Sequence, residues 1–345
     1  MADMHAPASP FGPSPSRRPA SLRRTSAIDT SWPMGRGEPM VMLGRARDLF
    51  TPLAGPARVL NEDSFEILAS PKREILAIKT SRCDAEAQQL VGARGGGALR
   101  RELPRALPEE HKNGTPLHLI LDDFSGASLV ANWAWSRWPA DLSAIQRQEA
   151  QQVGPGSPGR NGKMEGVCAG FRPGSAALNF DGSHRPNTQS SARVSPLPRS
   201  DDPQGWHELN GQEGVGMRRA RRLDVWVDEM IHIDVGFQDS ATSPDGVDRI
   251  AVHEYHVSAS ANLDTFELLT ITATPTVLPY AECLGAVPNV TRLVGTDLHE
   301  FRLAVLEHLP GVEGCTHLND VLRSIADVPQ LIRRLKAERT SQNST

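Results

Sequence analysis

Four cysteines in 345 residues, at positions 83, 168, 283 and 315, are too few and too scattered for a disulfide framework. A reducing cytoplasm is the simplest setting for such a chain. No run of 18 apolar residues occurs, so no membrane-spanning helix is expected. The N-terminus, MADMHAPASPFGPSPSRRPAS, lacks the apolar stretch of a secretory signal. Neither sign of charge dominates. A net charge of −4 excludes a generally nucleic-acid-binding surface and leaves room only for a local basic patch. Familiar chemical motifs are missing too. There is no G-x-S-x-G elbow, no G-x-x-x-x-G-K-[ST] loop and no G-x-G-x-x-G after a strand, so no organic cofactor is expected. With no C-x-x-C and no H-E-x-x-H, no metal ligand set is read either.

What the chain does have is glycine and proline, 29 and 27 residues, and hence much loop. It also has internal similarity. RRTSAID at Arg23–Asp29 answers RRARRLD at Arg218–Asp224, with the same Arg-to-Asp spacing. DSFEIL at Asp63–Leu68 answers DTFELL at Asp264–Leu269, Cys83 answers Cys283, and LVG at Leu90–Gly92 answers LVG at Leu293–Gly295. Leu107-Pro108 and Gly114 answer Leu309-Pro310 and Gly314. A collinear series of this kind reads as two tandem copies, roughly residues 23–140 and 218–335. Two units are too few for a solenoid and suit a pseudo-twofold pair. This reading equates the segments around Phe65 and Phe266.

In the second copy, LDVWV, MIHIDVGFQDS, RIAVHEYHVSAS and ELLTITATPTVL predict four strands, with Ser243–Gly246 as a turn. Helical spacing follows from Val287 to Val294, from Leu298 to Leu309 and from Leu318 to Ile325, the last stopped near Pro329. The expected fold is α+β: two pseudo-symmetric repeats, each an antiparallel sheet of about four strands followed by two or three helices. Residues 1–22 and 336–345 are expected to be disordered tails, and residues 141–217 a loop-rich connector. Within that connector, Met164–Leu178 with its Gly-Phe-Arg-Pro-Gly is the least polar stretch.

Several of these segments, RRTSAIDTSWP, MEGVCAGFRPGSAAL, HEYHV, VLPYAEC and above all GCTHLND, resemble the bacterial uncharacterised family DUF2889. The resemblance covers most of the chain after residue 22 and implies no catalytic residues. The family's frequency in bacteria that degrade aromatic or steroid compounds hints at a catabolic substrate.

The strand AVHEYHVSA concentrates polar groups. Strand alternation puts His253 and Tyr255 on one face and Glu254 and His256 on the other. Since imidazole titrates near neutrality, His253 is the candidate general base, with Glu254, Tyr255 and His317 orienting or donating. Polar residues on the wet face of a half-buried strand are the structural alternative. Gly314 introduces a helix, so Cys315 and Thr316 lie near its N-cap, where free N–H groups hold an anion or lower a thiol pKa; simple capping is the alternative. With Asn319, Phe171 and Arg172 they form the expected substrate-binding set. Phe171 and Arg172 would act as a lid, Arg172 supplying a cation. Asp122-Asp123 read as turn formers, and the Arg218–Arg222 run as solvated or paired with Asp224, Asp228 and Glu229. Trp133, Trp135 and Trp138 line a pocket or pack in a core.

These readings favour a cytoplasmic, cofactor-independent enzyme of lyase or isomerase type acting on a small, apolar, aromatic or steroid-like molecule. A non-catalytic binding or assembly protein is the rival, and a metal-dependent hydrolase the third reading. The only partner expected is a small-molecule substrate, with a homodimer compatible, and neither nucleic acid nor membrane.

Overall fold

The computed structural model describes residues 5–137, 164–185, 189–243 and 245–343. Trp138 and most of the expected connector before Met164 lie outside them.

Nine strands form one antiparallel sheet: β1 (Ser21–Ser31), β2 (Met40–Thr51), β3 (Arg58–Ala69), β4 (Ile75–Thr80), β5 (Ala192–Arg193), β6 (Gly216–Val227), β7 (Ile231–Thr242), β8 (Arg249–Ala261) and β9 (Leu268–Val277). The order is β4-β3-β2-β1-β6-β7-β8, with β9 and the two-residue β5 both paired to β8. The strands β1–β4 and β6–β9 are thus two consecutive meanders meeting at β1 and β6. Alternation explains the strand faces. In β7, Ile231, Ile233, Val235 and Phe237 are buried, while His232, Asp234 and Gly236 between them are half-buried on the opposite face.

Among the described residues, the five helices of eight or more residues cover one face: α1 (Gly97–Ala106), α2 (Pro116–Val130), α3 (Phe301–His308), α4 (Thr316–Arg323) and α5 (Val328–Asn343). Ile120, Phe124 and Ala127 of α2 pack with Met42, Phe65 and Ile67 in one apolar cluster. Leu318, Val321 and Leu322 of α4 pack with Val235, Tyr255 and Val257 in another. The fold is therefore α+β, with a large antiparallel sheet and several helices. Among the described residues, no helix is long and apolar enough to cross a membrane.

The meeting strands pair from Ser21↔Trp226 to Ser31↔Gly216. This register sets Arg23 opposite Asp224 and Asp29 opposite Arg218, and both pairs close at 2.6 Å. Neither face of the seam is wet, since helices lie over one side and the segments around Pro15 and Gly205 over the other. The arginine run expected at the surface is therefore buried. Its partners are Asp29, Asp239, Asp320, Asp123, Asp224 and Asp234, so only Asp224 of the acids expected from the sequence is among them. Asp122 and Asp123 do not end a strand. They are buried in α2 and bind Arg323 and Arg221.

Other expectations are corrected as well. Phe65 sits within β3, whereas Phe266 occupies the turn before β9 with φ +59°. The residue in the same left-handed conformation before β4 is Arg73, φ +67°, so DSFEIL and DTFELL do not occupy matching places in the strands. A six-residue likeness carries little register information. Pro329 does not stop a helix but stands in the first turn of α5, where its missing N–H costs nothing. Residues 336–343 continue that helix and are no loose tail. The N-terminal segment is also held. Leu278 N donates to Pro7 O at 3.0 Å, Ser9 N to Thr276 O at 2.9 Å and Phe11 N to Glu254 Oε2 at 2.7 Å, and Arg17 pairs with Asp202. Each such bond contributes about 1 kcal/mol net, so removing residues 1–17 is expected to lower stability by about 2–4 kcal/mol in a denaturant titration. An unchanged midpoint would return the segment to a tail.

Candidate functional site

The strand β8 divides the polar residues as alternation requires. His253 and Tyr255 face the helices, and Glu254 and His256 face the opposite side.

On the helix face, α4 brings His317 onto His253. Their rings stack with centroids 3.5 Å apart and planes 18° from parallel. Asp239 on β7 lies beneath, its Oδ2 2.8 Å from His317 Nδ1 and 3.7 Å from His253 Nδ1. Arg219 grips the same carboxylate, Nε at 2.8 Å and Nη2 at 2.9 Å, and reaches Asp320 through Nη1 at 2.7 Å. Burial alone would raise the Asp239 carboxyl, but Arg219 and His317 outweigh it and hold it well below the usual carboxylate range. Burial, with His317 adding to it, drives His253 well below the ordinary histidine range, so its ring is neutral. Both rings are sealed, His253 at 6% exposure and His317 at 8%. Neither ring lines either of the two cavities described below.

Tyr255 is fully buried and donates to Cys315 Sγ at 3.3 Å. The helix start does not lower the Cys315 thiol as expected. Burial outweighs the N–H groups of His317 and Leu318 and pushes it up. Cys168 is likewise pushed up to about 11, first by burial and then by Cys315. Phe171 packs against Tyr280 and His184, with ring centroids 6.0 and 5.5 Å away, and Ala169 N donates to Gly314 O. The linker thus meets the start of α4, but Phe171 does not touch the histidine pair, and Arg172 lies by Gly285. Thr316 and Asn319 line a smaller recess of about 200 Å³ with Arg100 and Asp320. Trp135 is core, edge-on to Trp32 at 5.5 Å.

The opposite face holds a cavity of about 430 Å³. Its polar wall is Arg222, Asp234, Gln238, Glu254 and His256, and its apolar wall includes Leu197 and Trp206. Phe11 to Pro15 of the N-terminal segment close one side. His256 Nε2 lies 2.6 Å from Asp234 Oδ2, and Phe11 meets the imidazole edge-on at 5.3 Å. A carboxylate only accepts, so Nε2 donates in this hydrogen bond. Arg222 binds Asp234 and Asp224 together. Burial would raise the Asp234 carboxyl, but the His256 hydrogen bond and the Arg222 guanidinium outweigh it and hold it at about 2. Glu254 accepts from Gln238 Nε2, Thr276 Oγ1 and Phe11 N. The sequence already put Glu254 and His256 on one face. What it did not supply was the cross-strand partner Asp234, two residues from Gly236, the residue directly opposite His256.

The molecule is thus an α+β protein whose sheet carries an oriented imidazole–carboxylate pair in a cavity on one face and a sealed ion-pair cluster on the other. Residues 217–330 match the family model described as a protein of unknown function, DUF2889. No curated protein and no solved structure matches the chain.

Proposed function

We propose that the cavity binds a small, largely apolar molecule carrying a hydroxyl, and that His256, oriented by Asp234, moves a proton on it. The observation that carries this reading is the imidazole–carboxylate pair in the wall of a cavity large enough for a drug-sized ligand. Arg222 is neutralised by two aspartates, and Glu254 adds a further acid. The wall therefore favours a neutral substrate. Proton transfer next to a hydroxyl is lyase or isomerase chemistry, and an aromatic or steroid-like catabolic intermediate has the right balance of apolar surface and hydroxyl.

The two meanders fit a tandem duplication in which only the second copy kept a site. Bulges follow Asp48 in the β2–β3 pair and Asp239 in the β7–β8 pair. Counting along the two registers from these bulges, Leu43 and Ser64 stand where Asp234 and His256 stand in the second meander. Asn61 opposite Asp48 takes the place of His253 opposite Asp239.

The test is incubation of the purified full chain with a panel of neutral aromatic and steroid alcohols, with depletion followed by mass spectrometry. A general base contributes about 10²–10⁴-fold, so His256→Ala and Asp234→Asn should each slow turnover at least about 100-fold while keeping the ligand bound. Wild-type protein that binds a panel member without consuming it would leave a binding protein. Full activity in His256→Ala would remove the proposed base.

A further inference from the structure

We infer that Asp239, His253 and His317 form a buried site for one zinc-class divalent cation, which would tie β7 and β8 to α4. It lies on the face of β8 opposite the cavity and is independent of the function proposed there.

Three ligand atoms, one from each residue, all lie within 4.8 Å of one another. Asp239 Oδ2 is the common vertex, 2.8 Å from one Nδ1 and 3.7 Å from the other. Zinc bonds to nitrogen and oxygen of about 2.0–2.2 Å set ligand–ligand edges of about 3–3.5 Å, a range these two distances bracket. A second observation points the same way. His253 Nδ1 is buried and has no hydrogen-bond partner. A sealed imidazole nitrogen is costly without one, and its lone pair is what a cation takes. Two imidazoles and one carboxylate suit zinc and its neighbours and disfavour magnesium or calcium, which prefer all-oxygen shells.

The surroundings set conditions on the site. Arg219 Nη2 lies 2.9 Å from the shared Oδ2 and 3.0 Å from His317 Nδ1. A carboxylate oxygen has two lone pairs, so Oδ2 holds an ion and keeps the guanidinium. Asp320 on the other arm of Arg219 offsets part of the added charge. His317 must carry its proton on Nε2 instead of Nδ1, and the His253 ring must tilt out of the stack to shorten its edge. The missing sequence signal is plain: the ligands come from β7, β8 and α4, 78 residues separating Asp239 from His317, with no short spacing to read.

Full-length protein, stripped with chelator, is titrated with Co²⁺ alone and then with Zn²⁺. The expected result is one equivalent of Co²⁺ with visible d–d absorption, displaced by one Zn²⁺, and a Zn²⁺-dependent rise in Tm. His253→Gln and His317→Gln should each weaken the ion at least about 10-fold and abolish the Tm rise. His253→Gln removes no existing hydrogen bond, so it should fold like the parent in chelator. No bound Co²⁺, or the same affinity in folded His253→Gln, would overturn the site. The latter would move the ion elsewhere.

Discussion

Gly126→Ala is expected to destabilise the protein by about 3–5 kcal/mol, although the change adds one methyl to a helix interior where alanine is normally favoured. A Cβ built at Gly126 falls 1.8 Å from Arg219 Nη1 and 2.1 Å from Asp320 Oδ2. The end of an arginine can usually step aside. Here Nε and Nη2 are fixed on Asp239, Nη1 is fixed on Asp320, and the side chain is 1% exposed. The methyl therefore breaks a buried ion pair or pushes α2 off the sheet. Gly12→Ala, with nothing within 4 Å of its Cβ, is the control and should leave stability unchanged. Chemical denaturation of the two variants beside the parent checks both. A Gly126→Ala protein within 1 kcal/mol of the parent, on the order of an ordinary surface change, would show that the ion-pair cluster yields easily.

Acid should weaken the fold well before the carboxylates titrate. His118 and His207 are buried, 2% exposed each. Burial first, with Arg302 adding to it, drives His118 well below the ordinary histidine range. Burial, then Arg47 and Arg45, lowers His207 to about 3. The unfolded chain takes up these protons near pH 6.5 and the folded chain does not, so it is the unfolded state that gains as pH falls. The stabilisation is complete above about pH 6.5 and is lost progressively below it, until the folded histidines themselves titrate. Two protons correspond to about 2.7 kcal/mol per pH unit, or about 5 kcal/mol between pH 6.5 and 4.5. Urea midpoints across that window check the slope, to which the sealed His253 adds in the same direction, and His207→Gln should lower it by about 1.4 kcal/mol per pH unit. A flat profile down to pH 4.5 would mean that these histidines protonate in place.

The strands were legible because their causes are local. In MIHIDVGFQDS the period of two is written in consecutive residues, and it gave both the strand and the faces of its side chains. The GCTHL helix was legible from Leu318, Val321 and Leu322 at helical spacing. The seam was half legible. The two heptads read as alike, but nothing local says that they lie antiparallel against each other, so RRARR read as solvated or locally paired, when its partners are 2 to 189 residues away. The surroundings of the candidate site were hidden for the same reason. The choice between His253 and His256 as base rests on which face of β8 the helices and the N-terminal segment cover, a fact of topology rather than of the AVHEYHVSA strand.

Pairing Arg23 with Asp224 joins residues 201 positions apart. At about 5–20 residues per second, a ribosome needs about 10–40 s to deliver the second after the first. In the last part of that interval, once α2 has been made, the first meander has an uncapped edge at β1, carrying Arg23, Arg24 and Asp29 without their distant partners. Those charges keep the nascent edge from recruiting a strand of another chain, so the ion pairs that close the finished sheet also guard it while it is being made.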